Sequence, residues 1–349
     1  SQETLPTEPD RFTKEDLMER EASYGKAGFA LQFMLDTTLS DADKYPLKLA
    51  DLCITALNPN KGWADLAWAS GPAQIVQDVP VVGFTGDKFY RPMWFSDQMY
   101  EFTGAVLAID PSGRGKDETA YAVVKMLNGY LYASQCGGFK GGYEDLTLQK
   151  IANIAKLEKV NMIVVESNFG DGMFSKLLAP FINKTYPVSI EEVRHNTQKE
   201  VRIIDTLEPV MMQHRLIIDE KLIKEDYESA PEPSYSLFYQ MTRLTRARGA
   251  IIHDDRLEAL AMAVNYWTEQ MDADAESLAA QQKMDDFNGE IQKFLSQATG
   301  STVKDGDKKP VNYPIVSVCD DIRRLDELVE TIMKDVMLKA REIQNNGTK

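Results

Sequence analysis

The sequence predicts an α/β fold, a mixed sheet with helices on its faces. Two observations carry that expectation. From Thr103 onward, two strands joined by a tight turn give way to alternating helical and strand patterns, the order of elements that covers a sheet with helices. Two short, β-branched-rich runs, 105–109 and 162–165, each end against an acid, Asp110 and Glu166. Runs of this kind read as buried strands, and a side chain placed just after one is held at the carboxyl edge of the sheet, where open α/β sheets bind ligands.

The elements follow in order. Residues 12–33 have helical periodicity interrupted by Gly25 and Gly28, and the segments NPNKGW (58–63) and SGPAQ (70–74) are rich in turn formers. The aromatic, proline-containing run FYRPMWF (89–95) is expected to cover the core as a strand or loop. Strands are expected at 105–109, 120–127 and 131–135, with Asn128-Gly129 turning the hairpin between the last two. A helix at 143–158, a strand at 162–165, a helix at 171–183 and a strand at 188–193 come next, then helices at 199–214 and 257–269. A charged helix at 273–295, a polar linker near 298–315 and an amphipathic helix at 318–344 complete the chain. The apolar stripe of that last helix serves either to dock on a partner or to fold back on its own domain. The expected division is an N-terminal extension (1–100), a central α/β domain (101–270) and a helical tail (271–349).

Composition narrows the function. The 349 residues are 43% hydrophobic, enough for at least one large core. Cys53, Cys136 and Cys319 form no CxxC pair, and an odd, scattered set suits reduced thiols better than a disulfide framework. No apolar stretch approaches the ~20 residues of a membrane span. A start at Ser1 leads us to expect a piece of a larger protein. The net charge of −15 counts against a free-standing nucleic-acid binder, which shows a basic excess. Arg243, Arg246 and Arg248 nevertheless cluster just before an acidic pair. They are either a solvated surface or phosphate contacts.

The string SGRGKDE (112–118) invites a P-loop reading and fails it. Lys116 is followed by Asp117 rather than Ser or Thr, and the spacing from Gly113 is too short. The glycines instead allow a sharp backbone turn. Three acidic positions matter more: Asp110, Glu166 and the pair Asp254/Asp255, which precedes a run of helical apolar spacing. Each has a plain structural reading. Asp110 suits an Asx turn with Ser112 or Gly113, Glu166 a helix cap, and 253–255 a capping cluster. Together they suit something else. Three rigid carboxylates in one cleft repel one another unless cations bind between them, an arrangement fitted to two Mg²⁺ or Mn²⁺ ions and a phosphodiester.

The motifs AIDPSGRGKDETA, VVESNFGDG and HDDRLEALAMAV resemble the C-terminal nuclease domain of the large terminase subunit of tailed bacteriophages, with its RNase H/integrase-like fold. The resemblance spans about residues 104–267, and residues 1–100 look like the region between motor and nuclease. It implies an RNase H-like sheet flanked by helices and a metal-dependent endonuclease cutting concatemeric double-stranded DNA with weak sequence preference. It also implies Asp110 as a bridging carboxylate, Glu166 and Asp255 holding one Mg²⁺ or Mn²⁺ ion each, and Asp254 beside them. His253, Asp117 and Glu258 are accessory candidates, Glu258 standing where many relatives have Asp. Double-stranded DNA, the terminase ATPase domain, the small terminase subunit and the portal are the implied partners. The implied location is the portal of the procapsid in the host cytoplasm. Two alternatives stay open: a junction resolvase or transposase of the same fold, and a docking module that does not cut.

Overall fold

The computed structural model describes residues 44–80, 82–84, 86–112, 117–167 and 172–299. Its strands are β1 (Cys53–Thr55), β2 (Lys61–Trp63), β3 (Leu66–Ala67), β4 (Trp94–Phe95), β5 (Met99–Glu101), β6 (Gly104–Asp110), β7 (Thr119–Leu127), β8 (Tyr130–Phe139), β9 (Met162–Glu166), β10 (Ser189–Val193) and β11 (Leu216–Asp219). The helices are α1 (Asp145–Glu158), α2 (Met173–Thr185), α3 (Lys199–Met212), α4 (Glu220–Ser229), α5 (Leu237–Arg243) and α6 (Asp255–Thr299). Seven strands form one mixed sheet in the order β1-β11-β8-β7-β6-β9-β10. The β6–β7 and β7–β8 pairs are antiparallel, and the other four are parallel. This is the expected mixed sheet flanked by helices.

Strand β6 lies near the middle because its sequence suits no other place. All seven residues of GAVLAID are buried, and a strand apolar on both faces needs cover on both. Alternation divides those residues between two layers. Ala105, Leu107 and Ile109 pack with Leu148, Ile151, Leu178 and Ile182 of α1 and α2. Val106 and Ala108 pack in the opposite layer with residues of α3 to α6, among them Leu207, Leu222, Met241 and Leu260. The β7–β8 hairpin turns at Asn128 (φ 51°) and Gly129 (φ 80°), the two positive angles that a tight Asn-Gly turn requires.

The expected elements between 104 and 269 are present, most with shifted ends. Asp110 is the last residue of β6 rather than the residue after it, and β8 runs on to Phe139. Seven elements escaped the sequence reading: β1, β2, β3, β5, β11, α4 and α5. Strands of three and four residues, buried throughout, are too short to show a period. The boundary expected near residue 100 does not follow the packing. Leu47, Leu49, Leu52, Ile54 and Phe89 lie in the layer of α3 to α6, and β1 extends the main sheet beyond β11. Within 89–95, Phe89 is core and Trp94–Phe95 pairs with β3.

The helices expected separately at 257–269 and 273–295 are one element, α6. The chain divides into two compact units after Ala280 rather than at 270. In the second unit the helix is described as far as Thr299, and Gln281 Nε2 donates to Asp285 Oδ1 at 3.2 Å. The expected helices at 12–33 and 318–344 lie outside the described residues, as does the linker beyond Thr299 and Cys319. Cys53 and Cys136 are buried thiols. Among the described residues no helix is long and apolar enough to cross a membrane.

Candidate active site

The same alternation that sorts the core aims the acids. Asp110 follows the parity of Val106 and Ala108, and Glu166 that of Val164, so both side chains rise on the α3–α6 face of the sheet. The parallel register Ala108↔Val164, Ile109↔Val165 sets Asp110 beside Glu166, one strand spacing of about 4.8 Å away. Each carboxyl group acts on the titration of the other. Ser112 does not form the turn with Asp110 that the plain structural reading offered. Its N–H donates to Thr119 Oγ1 at 3.1 Å, tying the end of β6 to the start of β7.

Two helix N-termini complete the cluster. The carbonyl of Asp254 accepts the N–H of Glu258 at 2.8 Å, which begins the hydrogen-bond ladder of α6 and gives Asp254 the N-cap position. Glu258, three residues after Asp255 and so on its face of the helix, is fully buried. From α3 come two cations at the same spacing. Lys199 Nζ lies 2.7 Å from Asp254 Oδ1 and 3.4 Å from Asp110 Oδ2. Arg202 reaches Glu258 at 2.5 Å and Glu166 at 3.6 Å. The Arg202–Glu258 contact is a close ion pair on a fully buried carboxylate.

Five acids against two cations in a half-dry cleft leave uncompensated negative charge. Burial, followed by the charge of Asp110, pushes Asp255 up to about 7. Burial likewise pushes Glu258 up to about 7, against the opposing pull of Lys199 and Arg202. Asp110 is raised by burial and by Glu166, with Lys199 opposing. Glu166 is raised by burial and by Glu258. Burial disfavours the charge on Lys199, yet Asp110, Glu258 and Asp254 together hold its ammonium firmly protonated. The donors are carboxylate oxygens, the ligands hard divalent cations prefer, and the cleft already takes a cation in the form of that ammonium. The residues fit Mg²⁺ or Mn²⁺.

Residues 109–216 match the family model described as Terminase Bacteriophage T7, Ribonuclease H-like domain. The chain carries a terminase ribonuclease H-like domain. It is 46% identical over 282 residues to the large terminase subunit of Enterobacteria phage T3, an alignment covering 79% of this chain and 48% of that protein. The chain thus spans about half the length of that relative. Among solved structures it is similar to the human cytomegalovirus terminase nuclease domain, soaked with Mn and inhibitor-bound (TM-score 0.37, 14% identity, 47% of this chain and 82% of that one). It is also similar to the large terminase nuclease of thermophilic phage G20c (TM-score 0.35, 10% identity, 64% and 98%).

In this terminase domain two sets of side chains bring possible metal ligands together. Asp255 gathers with Asp117 and His253, and Glu166 with His195 and Glu258, the ligand atoms of each set lying within 4.8 Å of one another. His253 stacks on Tyr235 (3.8 Å between centroids, 22° between planes) with Nδ1 3.6 Å from Asp117 Oδ1. The three arginines are placed differently from one another. Arg243 stacks on Tyr239 at 3.9 Å and donates to the carbonyls of Val82 and Gly83. Arg246 pairs with Asp205 and Glu208. Arg248 is exposed.

The sequence reading missed Lys199, Arg202 and His195. It followed the acids, while the signal for the two cations was their spacing of three at a helix start. It also missed Arg256, the largest fully buried side chain, which holds Glu118 at 3.0 Å and Asp226 at 2.8 Å. Arg256 adjoins Asp255 and fixes the first turn of α6 against α4 and the start of β7.

Proposed function

We propose that this chain is a metal-dependent endonuclease that cuts concatemeric double-stranded viral DNA during genome packaging, with weak sequence preference. The observation that carries this reading is the convergence of Asp110, Glu166, Asp254 and Asp255 on one sheet face around the ammonium of Lys199. Asp110, Glu166 and Asp255 would hold the two divalent ions, with Asp254 adjoining. When bound, such ions supply acidity for the attacking water and charge neutralisation at the departing oxygen. The chain itself rigidly fixes the donors: β6 and β9 hold two of them from the sheet, and the first turn of α6 supplies the others. His253, beside Asp117, would orient a water or a ligand. Arg248, exposed on the loop before α6, would contact the phosphates of the duplex, as would Arg243 and Arg246 if freed from their present partners.

The relative from phage T3 is a terminase large subunit, which supports a place for this chain in the packaging machinery; an ATPase domain, a small subunit and the portal would be its partners. The procapsid portal in the host cytoplasm is then the place of action. The overall acidity of the chain offers restraint on cutting, since loose duplex is repelled until a motor presents it. The test is plasmid nicking in Mg²⁺ or Mn²⁺. Wild type is expected to cut, and Asp110→Ala is expected to lose cutting while keeping its fold by circular dichroism. Cutting by the variant at the wild-type rate would remove Asp110 from the site.

A further inference from the structure

Lys199 sits where the charge of the cleft calls for a cation. It is the first residue of α3, and its ammonium bridges Asp254 Oδ1 at 2.7 Å and Asp110 Oδ2 at 3.4 Å. It contacts one acid from the sheet and one from the start of α6, the two elements whose carboxylates must share any ion that binds here. One turn along the same helix, Arg202 is committed to Glu258 and Glu166. The two cations differ in what they can do. Arg202 is a planar guanidinium with 15% of its side chain exposed, whereas 32% of the Lys199 side chain is exposed. A lysine is a point charge on a flexible four-carbon stem, so its head can leave the acids for solvent without moving the helix.

We propose that Lys199 is a tethered competitor for divalent cations: its ammonium occupies the position between Asp110 and Asp254, and a metal ion loads by displacing it. This rests on reading Asp110, with Glu166 and Asp255, as divalent-cation ligands, Asp254 adjoining them. A metal-free site is then not an open trap of repelling charges but one partly neutralised from within, and the residue sets the ion concentration at which the site fills. A merely structural lysine makes the opposite prediction, because its loss would loosen the acids and weaken metal binding.

The experiment is a Mn²⁺ titration of the full chain, following free Mn²⁺ by electron paramagnetic resonance, for wild type, Lys199→Gln, Lys199→Arg and Asp110→Asn. Removing an ammonium about 3–4 Å from the ligands should tighten Mn²⁺ binding by about fivefold or more. Lys199→Arg, which keeps the charge, should stay near wild type, and Asp110→Asn should abolish the binding. In thermal melts Lys199→Gln should be less stable than wild type in EDTA and gain more from Mn²⁺. Equal or weaker Mn²⁺ affinity in Lys199→Gln, with Asp110-dependent binding intact in wild type, overturns the role of Lys199 alone. No Asp110-dependent Mn²⁺ binding in either protein overturns the metal reading and this proposal together.

Discussion

Arg256 and Asp226 meet with both side chains fully buried, Nη1 lying 2.8 Å from Oδ1. Glu118 holds the other side of the same guanidinium at 3.0 Å, and Asp226 also accepts the Leu237 N–H at 2.9 Å. One network therefore joins α6, α4, the start of α5 and the start of β7. Breaking a buried pair by removing one partner strands the other charge and costs about 3–5 kcal/mol. Arg256→Ala is expected to lose that much stability in urea unfolding. A loss below about 1 kcal/mol would show that the acids find other partners or take up protons.

The arginines before α6 should separate under mutation. Arg243→Ala removes a stacked cation and two hydrogen bonds to backbone, and should cost about 1–3 kcal/mol of stability. Arg246→Ala breaks pairs that are half exposed and should cost less than about 1 kcal/mol. Arg248→Ala should leave stability level and weaken DNA association, lowering the log–log salt slope by about 0.9 if it contacts one phosphate. Denaturation curves and salt-dependent DNA binding measure the two effects separately. An unchanged slope in Arg248→Ala would return that residue to the solvated surface.

Stability without metal should fall as pH rises. Asp255 and Glu258 are pushed up to about 7, chiefly by burial, whereas unfolded carboxylates titrate near 4. Between those values the folded chain holds protons that the unfolded chain has released. The contribution is therefore fully present below about pH 4 and is lost as pH rises through about 7. Because a bound divalent cation needs the ionised carboxylates, its stabilising effect should grow over the same window. Melts at a series of pH values in EDTA and in Mn²⁺ test both slopes. A melting temperature in EDTA that climbs between about pH 5 and 7 would contradict the assignment.

Gly104 gives a packing test away from the cleft. A Cβ there would come within 2.8 Å of the Trp267 ring and 3.0 Å of Asn161 Oδ1. Trp267 is anchored by its own indole N–H, which donates to the Val124 carbonyl at 3.0 Å, and so cannot easily give way. Gly104→Ala should cost about 1–3 kcal/mol. A neutral result in thermal or urea unfolding would mean that the ring swings aside without losing its hydrogen bond.

Much of this molecule could be read before it was seen, and the reasons lie in particular residues. Asp110 and Glu166 were legible because each ends a short apolar run, and a strand leaves no doubt about where its last side chain must stand. Asp254 and Asp255 were legible because helical spacing begins just beyond them. Lys199 and Arg202 were not, because their meaning depends on α3 packing over the ends of β6 and β9, and no local pattern records a contact so distant in sequence. Arg256 was hidden differently. A charged residue inside an apolar helix face reads as exposed until its two acidic partners, 138 and 30 residues away, are known. The strands β1 and β11 were lost to shortness alone.

The pairing of β1 with β11 has a practical side. Without Cys53, Ile54 and Thr55 laid against Ile217, Ile218 and Asp219, β11 would face solvent as an open row of backbone donors and acceptors, on a strand that is apolar for three of its four residues. Such an edge templates strand addition from any neighbouring chain. A protein begun at residue 101, the natural place to cut if the acids alone guided the choice, would keep the cleft and expose this seam. Its first failing would be self-association rather than lost chemistry, and an inactive preparation of it would say nothing about the acids.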